Sequence, residues 1–277
     1  MRVHNKIPIP RPIKIESLCS AFHLPYEENY YFSGEMHDFW EMVFITDGEA
    51  AIAKNNRIFN LGKGDLAFHP PMEFHRVWSE GEPFRLLVIS FTASDDEVLK
   101  RLGEGIFSLN LEQQHTLKAL KDEIYDAFNI DYIFISSLGD SSLAMQSAVT
   151  KLELFLLELL RSGDYEKRRD KSPSAQQFSK IIEIMTSNLN KDLSVEDIAR
   201  LSSISVSNLK KICHKYTGAG PAKHFLKLKI VRAMQLLKDG MNVTEVSDYL
   251  AFSSQSYFSS TFRRETGKSP TQYKNET

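Results

Sequence analysis

The stretch "FSSQSYFSSTFRRETGKSP", residues 252–270, holds six serines and a glutamine around its aromatic residues and runs through Arg-Arg to Gly and Pro. Serine is a mediocre helix former, so a helix this rich in it calls for a use of its polar side. Phe258 and Phe262 are four residues apart and, with Phe252, define an apolar face, leaving Gln255, Ser256, Ser259 and Ser260 on the other side. A strip of short donors and acceptors lets a helix lie close to base edges in a DNA major groove, where Gln pairs with adenine and Ser with several bases. Arg263 and Arg264, one turn further on, stand where phosphates would be.

Upstream lies an echo of the same segment. "SVEDIARLSSISVSNLKKICHKYTGAGP" from Ser194 aligns with "VTEVSDYLAFSSQSYFSSTFRRETGKSP" from Val243. Ile198 matches Val246, Leu209 matches Phe258, Cys213 matches Phe262, Gly218 matches Gly267 and Pro221 matches Pro270. Each copy reads as short helix, tight turn and second helix with a Ser cap, the helix-turn-helix pattern. Between the copies, Pro221 opens a helix expected to reach about Lys238. At 1.5 Å per residue that connector is about 27 Å long, suited to holding two reading helices about one DNA turn apart. From Lys171 onward there are 16 Lys and Arg against 9 Asp and Glu, whereas the remainder is net acidic, so the basic half expects a polyanion.

These residues resemble the DNA-binding domain of AraC/XylS-type transcription regulators, and "SYFSSTFRRETGKSPTQY" is similar to that family's C-terminal signature. The resemblance implies base-facing roles for Ser207, Lys210 and Lys211 in the first unit and for Gln255, Ser256, Ser259 and Ser260 in the second. There are departures: Lys229 and Lys274 replace a usual Arg, Ser247 replaces an Ala, and Ala251 stands where a Gly is common. Gly suits φ > 0, so Ala251 implies a strained or reshaped turn.

Residues 41–91 are written differently. "EMVFIT", "EAAIAK", "RIFNL", "LAFH", "EFHRVW" and "FRLLVISF" are short apolar runs separated by Asp-Gly, Asn-Asn, Gly-Lys-Gly-Asp and Pro-Pro, which predicts an antiparallel barrel or sandwich. "HDFWEMVFITDGEA" and "GKGDLAFHPPMEFHRV" resemble the two half-motifs of a cupin barrel, a fold that in such regulators senses small molecules, commonly sugars. A metal-holding version wants two His one residue apart, then Glu, then a distant His, because borderline metals need three or four converging N/O ligands. Here Phe39 stands two positions after His37, leaving His37, Glu41 and His75, so no metal or cofactor is expected. The expected use is hydroxyl binding by His37, Glu41 and His75 with Trp40 as a stacking surface, although an aromatic in "FWEMVF" also reads as core. By similarity to arabinose-type regulators the Pro-spaced "KIPIPRPIKI" is a lid over that pocket; as a bare sequence it is equally an extended tail.

Strand signals end near Ser94. Leu117, Leu120, Ile124 and Phe128, then Met145, Val149, Leu152, Leu156 and Leu159, recur at helical spacing, and "RSGDYEKRRDKSPS" reads as a linker. The expected organisation is an α+β multidomain chain: residues 1–95 a cupin-like antiparallel barrel with an N-terminal arm, 96–162 a helical dimerisation segment, 163–174 a linker, and 175–277 an all-α double helix-turn-helix. With 277 residues and two cysteines, Cys19 and Cys213, lacking metal or disulfide spacing, the chain is expected in a reducing cytoplasm, and "LELFLLELL" is too short and charged to span a bilayer. The partners this implies are double-stranded DNA, a sugar-like effector, a second copy of the chain and, for a regulator, RNA polymerase. No nucleophilic triad or phosphate loop stands out, so no enzyme is expected. Two other readings stay open: a metal-dependent cupin enzyme carrying a DNA-binding domain, and a regulator without a small-molecule effector.

Overall fold

The computed structural model describes residues 7–276 apart from 33, 55–56, 80, 95–96 and 164–172. The chain forms two compact units, one of Met1–Phe32, Met36–Ile52 and Phe59–Arg169, the other of Asp170–Thr277 with Ser33–Glu35 and Ala53–Ile58. Most of the linker segment lies outside the described residues.

The N-terminal unit is built on antiparallel strands β1 (Ile15–Tyr26), β2 (Trp40–Asp47), β3 (Glu49–Lys54), β4 (Arg57–Gly62), β5 (Asp65–His69), β6 (His75–Ser79), β7 (Phe84–Ala93), β8 (Ile106–Ser108), β9 (Phe128–Asp131) and β10 (Phe134–Leu138). They make a seven-stranded sheet ordered β8-β5-β2-β7-β1-β10-β9 and a three-stranded sheet ordered β4-β3-β6. Both faces of the large sheet are covered. Val43, Ile45, Ala67, Leu86 and Val88 bury one face with Ala50, Ile52, Phe59 and Leu61 of the small sheet. Met42, Phe44, Leu66, Phe68, Leu87 and Ile89 bury the other with helices α1 (Leu111–Ala127) and α2 (Ser142–Ser162). Two-sided burial is why "EMVFIT" and "FRLLVISF" are continuous apolar runs instead of alternating ones.

Four strands depart from the expected layout. β1 starts at Ile15, the last residue of the segment read as a lid or tail, and pairs along most of β7, from Ile15 opposite Ala93 to Tyr26 opposite Phe84. The β9–β10 hairpin interrupts the segment read as wholly helical, and β8 is a three-residue edge paired to β5. The arm itself is pinned where β1 begins. Arg11 places Nη2 2.8 Å from Glu153 Oε2, and the Ile15 amide donates to Glu153 Oε1 at 2.9 Å. Ile13 is buried, while Ile7 and Ile9 are exposed.

The C-terminal unit is helical: α3 (Pro173–Thr186), α4 (Val195–Ser202), α5 (Val206–Thr217), α6 (Pro221–Lys238), α7 (Val243–Tyr249), α8 (Gln255–Thr266) and α9 (Pro270–Glu276). Its first helix starts at Pro173, two residues before the expected boundary. Phe178, Ile181, Ile198, Leu209, Cys213 and Tyr216 are buried in the first half, and Val246, Leu250, Phe258, Phe262 and Tyr273 pack on Ile230, Ala233 and Leu237 of α6 in the second. Thus α6 is the shared spine, touching α3 and α5 on one side and α7, α8 and α9 on the other.

Candidate nucleic-acid interface and effector site

Each helix-turn-helix is specified by its caps. Ser194 and Asp197 form a capping box at α4, and Asn242 with Glu245 does the same at α7, satisfying amides that a helix start leaves open. Ser205 accepts from the Asn208 amide at 3.2 Å and Ser254 from the Tyr257 amide at 3.1 Å, so both second helices begin on a Ser cap. They end alike, at Gly218 (φ 65°) and Gly267 (φ 79°). The turns are equivalent too: Ser203 sits at φ 58° and Ala251, 48 positions on, at φ 49°.

Phe258 and Phe262 are buried together with Thr261, while Gln255, Ser256, Ser260, Arg263 and Arg264 are exposed and Ser259 is half-buried. On α5 the corresponding Ser207, Lys210 and Lys211 are exposed. Gln255 is held by Thr244, whose hydroxyl donates to Gln255 Oε1 at 3.2 Å, a bond that does not use the donors of its side-chain NH2. Ser260 bonds back to the Tyr257 carbonyl at 3.0 Å, and Arg264 Nε lies 3.0 Å from Glu265 Oε1. Lys229 and Lys274, the replacements for Arg, both serve the backbone: Lys274 donates to the carbonyls of Gly240 and Met241 at 2.8 and 2.9 Å, and Lys229 reaches that of Ala251 at 3.5 Å.

In the N-terminal unit His37, Glu41 and His75 come together. Glu41 shares a face of β2 with Val43 and Ile45, and His75 shares a face of β6 with Val77, which places the cluster at one end of the core between the sheets. Glu41 Oε1 is 3.2 Å from His75 Nε2, and Oε2 is 3.8 Å from His37 Nε2. Ser90 donates to Glu41 Oε2 at 3.2 Å and stands 2.7 Å from the Ser20 hydroxyl. Burial alone would raise the Glu41 carboxyl; His37 and His75 outweigh it and hold that group below the usual carboxylate range. His69 stacks on His75 at 4.1 Å and bonds Glu73 through Nδ1 at 3.0 Å, a neighbour that the motif reading did not include. Trp40 lies elsewhere: it is 1% exposed inside the large-sheet core, so the stacking role gives way to the core role its apolar context allowed. In sequence Glu35 precedes His37 by two, making Glu-x-His-x-x-x-Glu over 35–41; counting forward from His37 meets Phe39 and overlooks this carboxylate.

A pair of helix-turn-helix units on one helical spine, each with an exposed polar or basic second helix, joined to a two-sheet domain with a buried polar cluster, defines a DNA-binding regulator with a sensor domain. Family models match both parts: an AraC-like ligand binding domain over residues 21–152 and a helix-turn-helix domain over residues 187–276. The chain belongs to the AraC family of DNA-binding transcription regulators. It is 25% identical to the HTH-type transcriptional regulator YidL of Escherichia coli K12, covering 97% of this chain and 91% of that one. It is 24% identical to the Msm operon regulatory protein of Streptococcus mutans UA159, covering 90% and 89%. Among solved structures, ToxT from Vibrio cholerae O395 aligns over 93% of this chain and 96% of its own at 15% identity and a TM-score of 0.39. Among the described residues no helix is long and apolar enough to cross a membrane.

Proposed function

We propose that this regulator reads two adjacent major-groove segments through α5 and α8 and is controlled by a polyhydroxylated small molecule, a sugar or sugar derivative, held by the N-terminal unit. On this reading Ser207, Lys210, Lys211, Gln255, Ser256, Ser259 and Ser260 face base edges, and Arg263 and Arg264 hold phosphates. The observation that carries it is the division of α8, with Phe258 and Phe262 buried and Gln255, Ser256 and Ser260 exposed. The effector part is supported by the buried hydroxyl, carboxylate and imidazole groups of Ser20, Ser90, Glu41, His37 and His75, which offer both donors and acceptors to sugar hydroxyls.

Residues 96–162 then supply a homodimer contact, supported by Leu138, Leu143 and Leu154, which are exposed along this segment. Effector binding biases that contact or the arm held at Glu153, and so changes which half-sites the two copies occupy and how RNA polymerase is engaged. Thermal unfolding of the full chain against a panel of neutral and acidic sugars tests the effector class. A true effector at 100 times its Kd adds about 2.7 kcal/mol of stability, and a panel without any response removes the sugar reading.

A further inference from the structure

We propose that His37, Glu41 and His75 form a binding site for a divalent first-row transition metal ion. Three features of the cluster carry this. First, the rings are oriented from behind: His37 Nδ1 lies 3.0 Å from the Phe39 carbonyl and His75 Nδ1 lies 3.0 Å from the Glu73 carbonyl. A carbonyl only accepts, so each Nδ1 carries a proton, and each Nε2, the atom turned towards Glu41, is the one left to bind a metal. Backbone carbonyls that fix the tautomer in this way are the usual support behind metal-binding imidazoles.

Second, the donors converge. The ligand atoms of His37, Glu41 and His75 lie within 4.8 Å of one another. Atoms bound to one ion at about 2.0–2.2 Å stand roughly 3–3.6 Å apart. The His75–Glu41 pair is already at 3.2 Å, and the His37–Glu41 pair, at 3.8 Å, needs to close by a few tenths of an ångström. Third, the site is buried and held: His37 Nε2 is buried without a hydrogen-bond partner, and the Ser90 hydroxyl donates to Glu41 Oε2 at 3.2 Å. Two imidazoles and one carboxylate favour Zn2+, Ni2+, Co2+ or Fe2+ over Mg2+ or Ca2+. Three protein ligands leave positions for the oxygens of a bound molecule. The expectation of no metal came from counting ligands in the half-motif, whereas the convergence of these three is a property of the fold.

The experiment is titration of the full chain, stripped with chelator and free of sugar, with Co2+, followed by calorimetry and by the visible absorption of protein-bound cobalt. The expected result is saturation at one Co2+ per chain, competed by Zn2+ and untouched by Mg2+. His37→Gln and Glu41→Gln should each weaken it by at least about tenfold, since even supporting groups cost that much. Absence of saturable binding, or unchanged affinity in the His37→Gln/Glu41→Gln double variant, overturns the proposal. Should a variant fail to fold, Co2+ protection of His37 and His75 from diethylpyrocarbonate in the unaltered protein decides instead, and equal modification with and without Co2+ overturns it. A sugar panel run in chelator tests the effector reading separately, so either can fail alone.

Discussion

Lys229 crosses from α6 to the helix-turn-helix turn, its Nζ 3.5 Å from the carbonyl oxygen of Ala251, and Ala251 is held at φ 49°. A left-handed Ala costs about 1–2 kcal/mol against its ordinary conformation, of which glycine's extra freedom in the unfolded chain takes back about 0.5–1. Ala251→Gly is therefore expected to stabilise the C-terminal unit by about 0.5–1 kcal/mol and raise its Tm by a few degrees. A lower Tm on calorimetry would show that the turn is not strained. Lys229 itself, buried with its ammonium over the rings of Phe225 and Phe252, has its pKa lowered by burial.

On the proposed reading Gln255 reads a base and Arg264 holds a phosphate. Gln255→Ala should cost about 1–3 kcal/mol at one base position and relax preference there. Arg264→Ala should weaken all sequences alike and lower the salt slope of binding by about one unit. Binding of base-substituted duplexes at several salt concentrations measures both. If Gln255→Ala bound each duplex like the parent, the base-reading face would be misassigned.

Glu153 links the start of β1 to α2. Glu153→Ala strands the Ile15 amide and is expected to cost about 1–3 kcal/mol, whereas Arg11→Ala, with an exposed guanidinium, should cost under about 1 kcal/mol. Hydrogen exchange at residues 11–17 should rise sharply in the first variant. Equal effects of the two would mean the amide bond contributes nothing of its own.

Asp197 gives the α4 cap a pH dependence. The Ser194 hydroxyl, at 2.6 Å, and then Arg200 lower its carboxyl from 3.8 to about 2. A lowered folded value stabilises above the unfolded one and is lost as pH falls through that interval. The gap in urea midpoint between the parent and Asp197→Asn should thus narrow as pH drops from about 6 towards 3; a constant gap would remove the carboxylate from the account.

The C-terminal half was legible because local signals coincide there: Pro221 starts α6 and the apolar period runs to Lys238, as the structure has it. Ala251 was marked by a missing Gly and does adopt φ > 0. The N-terminal unit was harder for physical reasons. β1 mixes apolar and polar residues without alternation and finds its pairing partners 58 to 78 residues away in β7, and β9 and β10 are too short to interrupt a helical period. The His37, Glu41 and His75 cluster joins a loop and two strands from different sheets, a proximity that spacing alone does not fix.

The most direct test of the central claim is hydroxyl-radical footprinting of the full chain on a duplex selected by binding. The spine formed by α6 predicts two protected patches per chain on one face of the duplex, separated by about one turn, near 34 Å, with the downstream patch lost in a variant carrying Gln255→Ala and Arg264→Ala. A single patch, or uniform protection unaffected by those changes, would contradict two helix-turn-helix units reading DNA together.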